Sequence, residues 1–265
     1  MADGAMDLAP KIAYDMAMPS QHPTRVYSFF LAIFFLLVVV LASWLLFKAS
    51  GYQVLRHPVR IVKTGLISLG VHPSDGLSIT LNNSKTAPES RAFTNLVPGR
   101  YQIRIERSGY RPWEMTTELS AGQAISYPDV VLFYQNPIRM AIESDQTKIY
   151  ETVLAHPERF QMGLHISESE LWAHDVLITR YSEPIKQAFW LVDNTHLVLQ
   201  VGQTLHAIDN QGGQDNELVT YDPAVETIER FAPLLGGQKI IVQTTKRMEL
   251  VEITAPFQRL TLPTL

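Results

Sequence analysis

Eight histidines and no cysteine set the limits on side-chain chemistry in this chain. Without thiols there can be no disulfide, thiolate zinc site, iron–sulfur cluster or cysteine nucleophile. The nearest group of metal-type ligands is His165, His174 and Asp175. Its spacing matches neither His-Glu-x-x-His nor a helical i, i+4 pair, and strand neighbours at odd offsets face apart, so no metal site is expected. His196 and His206 fall in strand-like runs, where a surface or hydrogen-bonded core histidine is expected. There is no Gly-x-Ser-x-Gly elbow and no P-loop, and no acidic pair of the glycosidase kind can be located. The chain is therefore expected to be no enzyme and to carry no cofactor, unless distant residues assemble a site in space.

Two Gly-Gly-Gln triplets, Gly212-Gly213-Gln214 and Gly236-Gly237-Gln238, match the peptide-release tripeptide of translation factors in three letters only. Each lies between strand-like runs, where glycine supplies positive φ for a hairpin, and that is the role expected of them. The net charge of −4 and the lack of a basic stripe offer nothing to a nucleic-acid backbone, so no nucleic acid is expected as partner.

The elements that must position any site begin with the apolar run Phe29 to Phe47, nineteen residues without a charge. As a helix it covers about 28 Å, close to the hydrocarbon thickness of a bilayer. Eight large apolar residues in a row, Ile33 to Val40, leave no polar face, which argues against a core helix. Tyr27, Trp44 and Tyr52 lie at or near its ends, where aromatic rings suit the headgroup level. Residues 26–48 are therefore expected to form a single transmembrane helix, with the bilayer as first partner. Signal peptidase cleavage after Val40-Leu41-Ala42 is the rival fate. Only Lys11 and Arg25 precede the run, however, and cutting would leave a greasy new terminus, so an uncut anchor is expected.

Residues 1–25, with Pro10, Pro19 and Pro23, show no period and read as a mobile tail. Residues 49–64 read as a connector interrupted by His57-Pro58. From Gly65 the pattern turns to strands: Gly65 to Val71, Leu77 to Leu81 closed by Asn82-Asn83-Ser84, then Tyr101, Ile103 and Ile105 alternating with polar residues. Trp113 to Leu119 and Ala124 to Tyr134 follow. The segments Pro73-Ser-Asp-Gly76-Leu-Ser-Ile79, Asn95-Leu96-Val-Pro98-Gly99-Arg-Tyr101, Gly109-Tyr110-Arg-Pro112-Trp113 and Ala121-Gly122-Gln123 together resemble the PEGA domain, a small β-sandwich of bacterial and archaeal surface proteins. The namesake Pro-Glu-Gly-Ala is degenerate here, and the usual Gly-x-Thr-Pro segment has lost its shape at Lys85-Thr-Ala-Pro88. The resemblance covers residues 65–134 and places Tyr101, Tyr110 and Trp113 at positions that shape the sandwich. Packing is their expected role, and ligand-facing stacking on sugars is the alternative.

Ala49-Ser-Gly51-Tyr52 after the anchor and Ile61-Val-Lys63-Thr-Gly65 before the sandwich resemble membrane-anchored PEGA proteins of small-genome bacteria, which implies a body facing outwards. The charge count runs the other way. Lys48, Arg56, Arg60 and Lys63 trail the run against Lys11 and Arg25 before it, which favours the body inside. Long domains translocate largely regardless of such charges, and the resemblance is given the greater weight.

Across residues 135–265 the pattern repeats. Phe189 to Asn194, His196 to Leu199, Leu205 to Asp209 and Gly212-Gly213 are echoed about forty-four residues later by Phe231 to Gly237, Lys239 to Val242 and Leu250 to Ile253. The order resembles TolB-like or WD-type blades, without a Trp-Asp signature. About 130 residues hold two to three blades where a closed ring takes about four or more, so an incomplete β-propeller-like module is expected, with self-association through open blade edges. The fold class expected is mainly β: one transmembrane helix, a small sandwich, a partial propeller. The function expected is non-catalytic binding of envelope polysaccharide or surface proteins at the cell membrane. The alternatives are a sensor reporting outside binding to the tail and, least favoured, an envelope hydrolase.

Overall fold

The computed structural model describes residues 24–56, 59–86, 91–143, 146–191, 193–234 and 237–256. The expected tail up to residue 23, the His57-Pro58 interruption, Pro88 and Gly236 lie outside the described residues. The chain forms two compact units, Met1–Tyr52 and Gln53–Leu265.

In the first unit the apolar run forms α1 (Thr24–Ala49). Its side chains are exposed from Val26 to Leu46, and Val26–Ala49 is long and apolar enough to cross a membrane, as the signal sequences of other chains also are. Gly51, at φ +76°, ends the helix in the left-handed conformation that glycine adopts freely. Trp44, Phe47 and Tyr52 stack in succession there, ring centroids 6.2 and 5.4 Å apart, and the Lys48 ammonium sits 5.7 Å from the Trp44 ring.

The expected connector is a strand pair instead, β1 (Tyr52–Arg56) and β2 (Val59–Lys63). Both segments alternate in β-branched or aromatic residues, a period-2 signal that the Pro58 interruption hides in the sequence.

Seven strands follow in two sheets. One has the order β6 (Ala92–Leu96), β3 (Gly65–His72), β9 (Ala124–Val131); the other β5 (Ser84–Thr86), β4 (Ser78–Leu81), β7 (Gly99–Glu106), β8 (Trp113–Leu119). Alternation decides which residues turn inwards: Ile67, Leu69 and Val71 from β3, Ile103 and Ile105 from β7, with Ile79, Trp113 and Leu119, make one shared core. The turn between β4 and β5 holds Asn82 and Asn83 at φ 49° and 62°, the pairing a tight hairpin asks for.

After residue 135 the chain is not all strand. β10 (Ile138–Ala141) is followed by a short helix, α2 (Thr147–Ala155), and a 3-10 turn, Pro157–Phe160, where only strands were expected. Three antiparallel sheets come next: β11 (Leu164–Ser167), β12 (Glu170–Ala173), β13 (Val176–Arg180); β14 (Ile185–Trp190), β15 (His196–Val201), β16 (Thr204–Asp209), β17 (Asn216–Thr220); and β18 (Ile228–Pro233), β19 (Lys239–Thr244), β20 (Met248–Glu252), with β10 joining β20 as fourth strand. β15 is buried at every position because its sheet is covered on both faces. Leu197 and Leu199 share a core with Leu171 of β12, whereas Val198 shares one with Ile240, Val242 and Val251 of the last sheet. The far face of that last sheet, through Ala232 and Ile241, is covered by Leu154, Tyr150 and Val153 of α2.

One strand end stitches sandwich to stack. Val130 and Leu132 point into the sandwich core while Val131 and Phe133 point into the stack core, which is what period-2 geometry does when a strand has a core on each side. Backbone bonds from Leu132 N–H to His72 O (2.8 Å) and Tyr134 N–H to Ile253 O (2.8 Å) fix the junction, as does the Thr254 hydroxyl on Leu132 O (2.7 Å).

Candidate functional site

Two sheets end on the same side of the sandwich, in the edge strands β8 and β9. Opposite them stand two turns of the stack, 193–196 before β15 and 209–211 after β16. Between strands and turns lies a cleft of about 210 Å³, walled by Trp113, Met115, Tyr127 and Val130 on one side and by Thr195, His196, Asp209 and Asn210 on the other. Trp113 is 7% exposed and meets Tyr127 edge to face at 5.6 Å, so the apolar wall is packed by its own rings.

The polar wall is built by aspartates that hold turns. Asp193 Oδ1 accepts the Thr195 and His196 backbone N–H groups, both at 3.0 Å, and its Oδ2 takes the His196 Nδ1 at 2.7 Å. Asp209 Oδ1 accepts the N–H groups of Gln211 (2.9 Å) and Gly213 (2.8 Å). These are Asx turns, and Asn194 at φ 54° completes the first. Burial pushes the Asp193 carboxyl up, but the His196 bond and charge, with the two backbone donors, outweigh it and hold the group below its ordinary value. His196, 6% exposed, is thus oriented by Asp193 with Phe133 edge-on to its ring at 5.9 Å.

Gln214 ties the stack to the sandwich edge beside the cleft. Its Oε1 accepts the Glu114 backbone N–H at 3.4 Å and its amide donates to Glu114 O, so the side chain stands in for a strand partner on the β8 edge. Gly212, at φ +76°, lies so close to Ile178 that an added Cβ would fall 1.8 Å from its carbonyl oxygen. The first Gly-Gly-Gln triplet has here a turn role and an edge-pairing role.

Of the three aromatics singled out from the sequence, Trp113 lines the cleft and the other two do not. Tyr101 is half-buried with its hydroxyl donating to Val97 O at 2.7 Å. Tyr110 packs on Tyr134 at 4.8 Å under the Arg107 guanidinium, and burial together with Tyr134 pushes its phenol up to about 12. His165 is exposed on β11, and His174 and Asp175 form a left-handed turn at φ 47° and 65°. Among the described residues no three His, Asp or Glu side chains are grouped to hold a metal.

Sequence reasoning missed two acid–histidine pairs and one ionic cluster. His206 Nδ1 meets Asp215 Oδ1 at 2.7 Å, and the Tyr181 hydroxyl donates to Asp215 Oδ2 at 3.0 Å. In the cluster, Arg139 of β10 bonds Glu249 of β20 at 2.7 Å, Arg247 bonds Glu226 at 2.8 Å, and the buried Tyr221 hydroxyl donates to Glu249 at 2.5 Å. Burial opposes the Arg139 charge, but the Glu249 bond and the surrounding negative charge raise the guanidinium above its ordinary value. The one sequence signal available was Asp193-Asn-Thr-His196, an Asx-turn spacing; the other partners lie between 9 and 110 positions apart in the chain.

No family model matches this chain, and neither does any curated protein. Among solved structures, the C-terminal WD40 domain of Sif2 aligns with 59% of this chain at 13% identity and a TM-score of 0.27. The chain spans 43% of the length of that domain. The fold is mainly β with one N-terminal apolar helix, and the described sheets are open.

Proposed function

We propose that this is a single-pass membrane-anchored envelope protein whose extracytoplasmic body recognises a surface polysaccharide or protein and does not react with it. On this reading residues 26–48 are the anchor, residues 65–134 a PEGA-type sandwich, and residues 135–265 an incomplete propeller-like module of two to three blades.

The observation that carries the reading is the cleft. One wall offers an aromatic and aliphatic face, and the other offers turn residues, a combination suited to the face of a sugar ring or an extended peptide. Of the groups at the cleft that could do chemistry, Asp209 holds backbone N–H groups and His196 is pinned by Asp193, while Asp129 stands exposed on the sandwich side. Groups fixed in this way shape a binding surface.

The test is Asn210→Arg in the full-length chain, an exposed residue at the cleft wall whose replacement fills the opening without touching the core. Binding to envelope polysaccharide fractions or surface proteins is expected to weaken at least about tenfold, the loss of one good contact region. Binding unchanged by the plug would overturn the assignment of the site, and turnover of a glycan or peptide abolished by His196→Gln would overturn the non-catalytic reading.

A further inference from the structure

The strand pair that replaces the expected connector has an unusual surface. Residues two apart on a strand share a face. Tyr52 and Val54 share one face of β1, and Val59 and Ile61 share one face of β2; they are 39%, 45%, 80% and 62% exposed, while Leu55 and Val62 on the opposite faces of their strands are half-buried. Large side chains left out of the core on consecutive positions of one face mark a surface that something else covers.

Its charge says what. Between Asp15 and Asp75 the sequence contains no acidic residue, and Lys48, Arg56, Arg60 and Lys63 fall within sixteen positions. Arg60 and Lys63 are exposed, and among the described residues neither makes an ion pair. The ribbon thus joins aliphatic side chains to uncompensated positive charge. Its place in the chain supplies the third fact: β1 begins at Tyr52, three residues past the end of α1 at Ala49. Three residues reach at most about 10 Å, comparable to the headgroup layer of about 6 Å that flanks the hydrocarbon core.

We infer that the β1–β2 ribbon is a membrane-interface element that docks on the anionic headgroups of the bilayer α1 crosses, an inference that rests on the anchor reading above. Val54, Val59 and Ile61 enter the headgroup boundary, Lys63 on the same face of β2 pairs with lipid phosphates, and Arg60 on the opposite face adds to the attraction through the negative surface potential. The body is then held against the surface by a second, salt-sensitive contact besides the helix.

The chain has no native thiol, so Val59→Cys carries a single environment-sensitive fluorophore. The labelled full-length protein is reconstituted in vesicles of phosphatidylcholine alone and of phosphatidylcholine mixed with phosphatidylglycerol, with Val176→Cys as an exposed control on the body. Acrylamide access to the Val59 probe is expected to fall about fivefold in the anionic vesicles, and Arg60→Gln with Lys63→Gln to restore it, while the control stays accessible. Equal access in the two lipid mixtures overturns the inference. So does shielding that grows with the protein-to-lipid ratio, which would assign the face to a second copy of the chain. Flotation with the vesicles separates the two readings: a chain that floats with a water-exposed probe sinks this inference alone, and a chain that fails to float sinks the anchor as well.

Discussion

Replacing Arg139 by Met tests whether β10 is held to the C-terminal sheet by charge. Glu249 is 3% exposed and Glu226 9%, so two carboxylates sit almost out of water beside the strand. Arg139 reaches Glu249 through Nη2 at 2.7 Å and Nε at 3.0 Å, approaches Glu226 at 3.6 Å, and covers the Tyr221 ring at 4.6 Å. Removing one partner of a buried pair costs about 3–5 kcal/mol, because the other charge is left stranded. Two facts reduce that figure: the Arg139 side chain is 35% exposed, and Arg247 still touches Glu226 at 2.8 Å and Glu249 at 3.4 Å. The expected loss is therefore about 2–3 kcal/mol. For a folded body of this size that lowers Tm by about 5–10 °C. Circular dichroism melts and urea titrations of the full-length chain in detergent measure it. Adding Glu249→Gln to Arg139→Met should recover at least half of the loss, since no stranded charge then remains. A single variant within about 0.5 kcal/mol of the parent, or a double variant whose losses simply add, would refute the reasoning.

Three further outcomes follow from the same geometry. Asp193 and Asp215 both lie below their ordinary values, in each case because a histidine partner outweighs burial. The stability these pairs contribute is fully present above the unfolded carboxylate value of about 4 and is lost as pH falls through the lower folded values. Asp193→Asn should cost about 1–3 kcal/mol at neutral pH and flatten the acid limb of a urea-midpoint profile. Gly212→Ala places a Cβ 1.8 Å from Ile178 O at φ +76°, so a loss of about 2 kcal/mol or more in urea unfolding is expected, whereas Gly109→Ala, at φ +82° with open space around it, should cost only about 1–2 kcal/mol. Ile103→Ala, fully buried between the two sandwich sheets, should cost about 2–5 kcal/mol in the same assay.

Much of the architecture was legible because its signals are local. Alternation around Ile103 and Ile105, Asn82-Asn83 at a tight turn and the charge-free run before Lys48 each report on neighbours in the chain, and strand, turn and helix stand there in the structure. Where burial comes from two sides the local signal fades. His196 to Val201 is buried throughout and reads as an undirected apolar run, and only the stacking of sheets on both its faces explains it. α2 went unseen because its apolar positions Tyr150, Val153 and Leu154 are few and the helix is nine residues long, so packing on Ala232 and Ile241 and not propensity sustains it. The cleft was harder still. Trp113 was named on family resemblance, but its opposite wall comes from residues about eighty to a hundred positions further on, and sequence spacing holds no record of that approach. The Arg139–Glu249 pair, 110 residues apart, was invisible for the same reason.

Everything proposed for the body presupposes that α1 stays attached and sits in lipid. Carbonate extraction of membranes from cells expressing the full-length chain, followed by mass determination, addresses this directly. The account requires a carbonate-resistant species at the full 29.9 kDa. A soluble species shortened to a new terminus after Ala42 would contradict it.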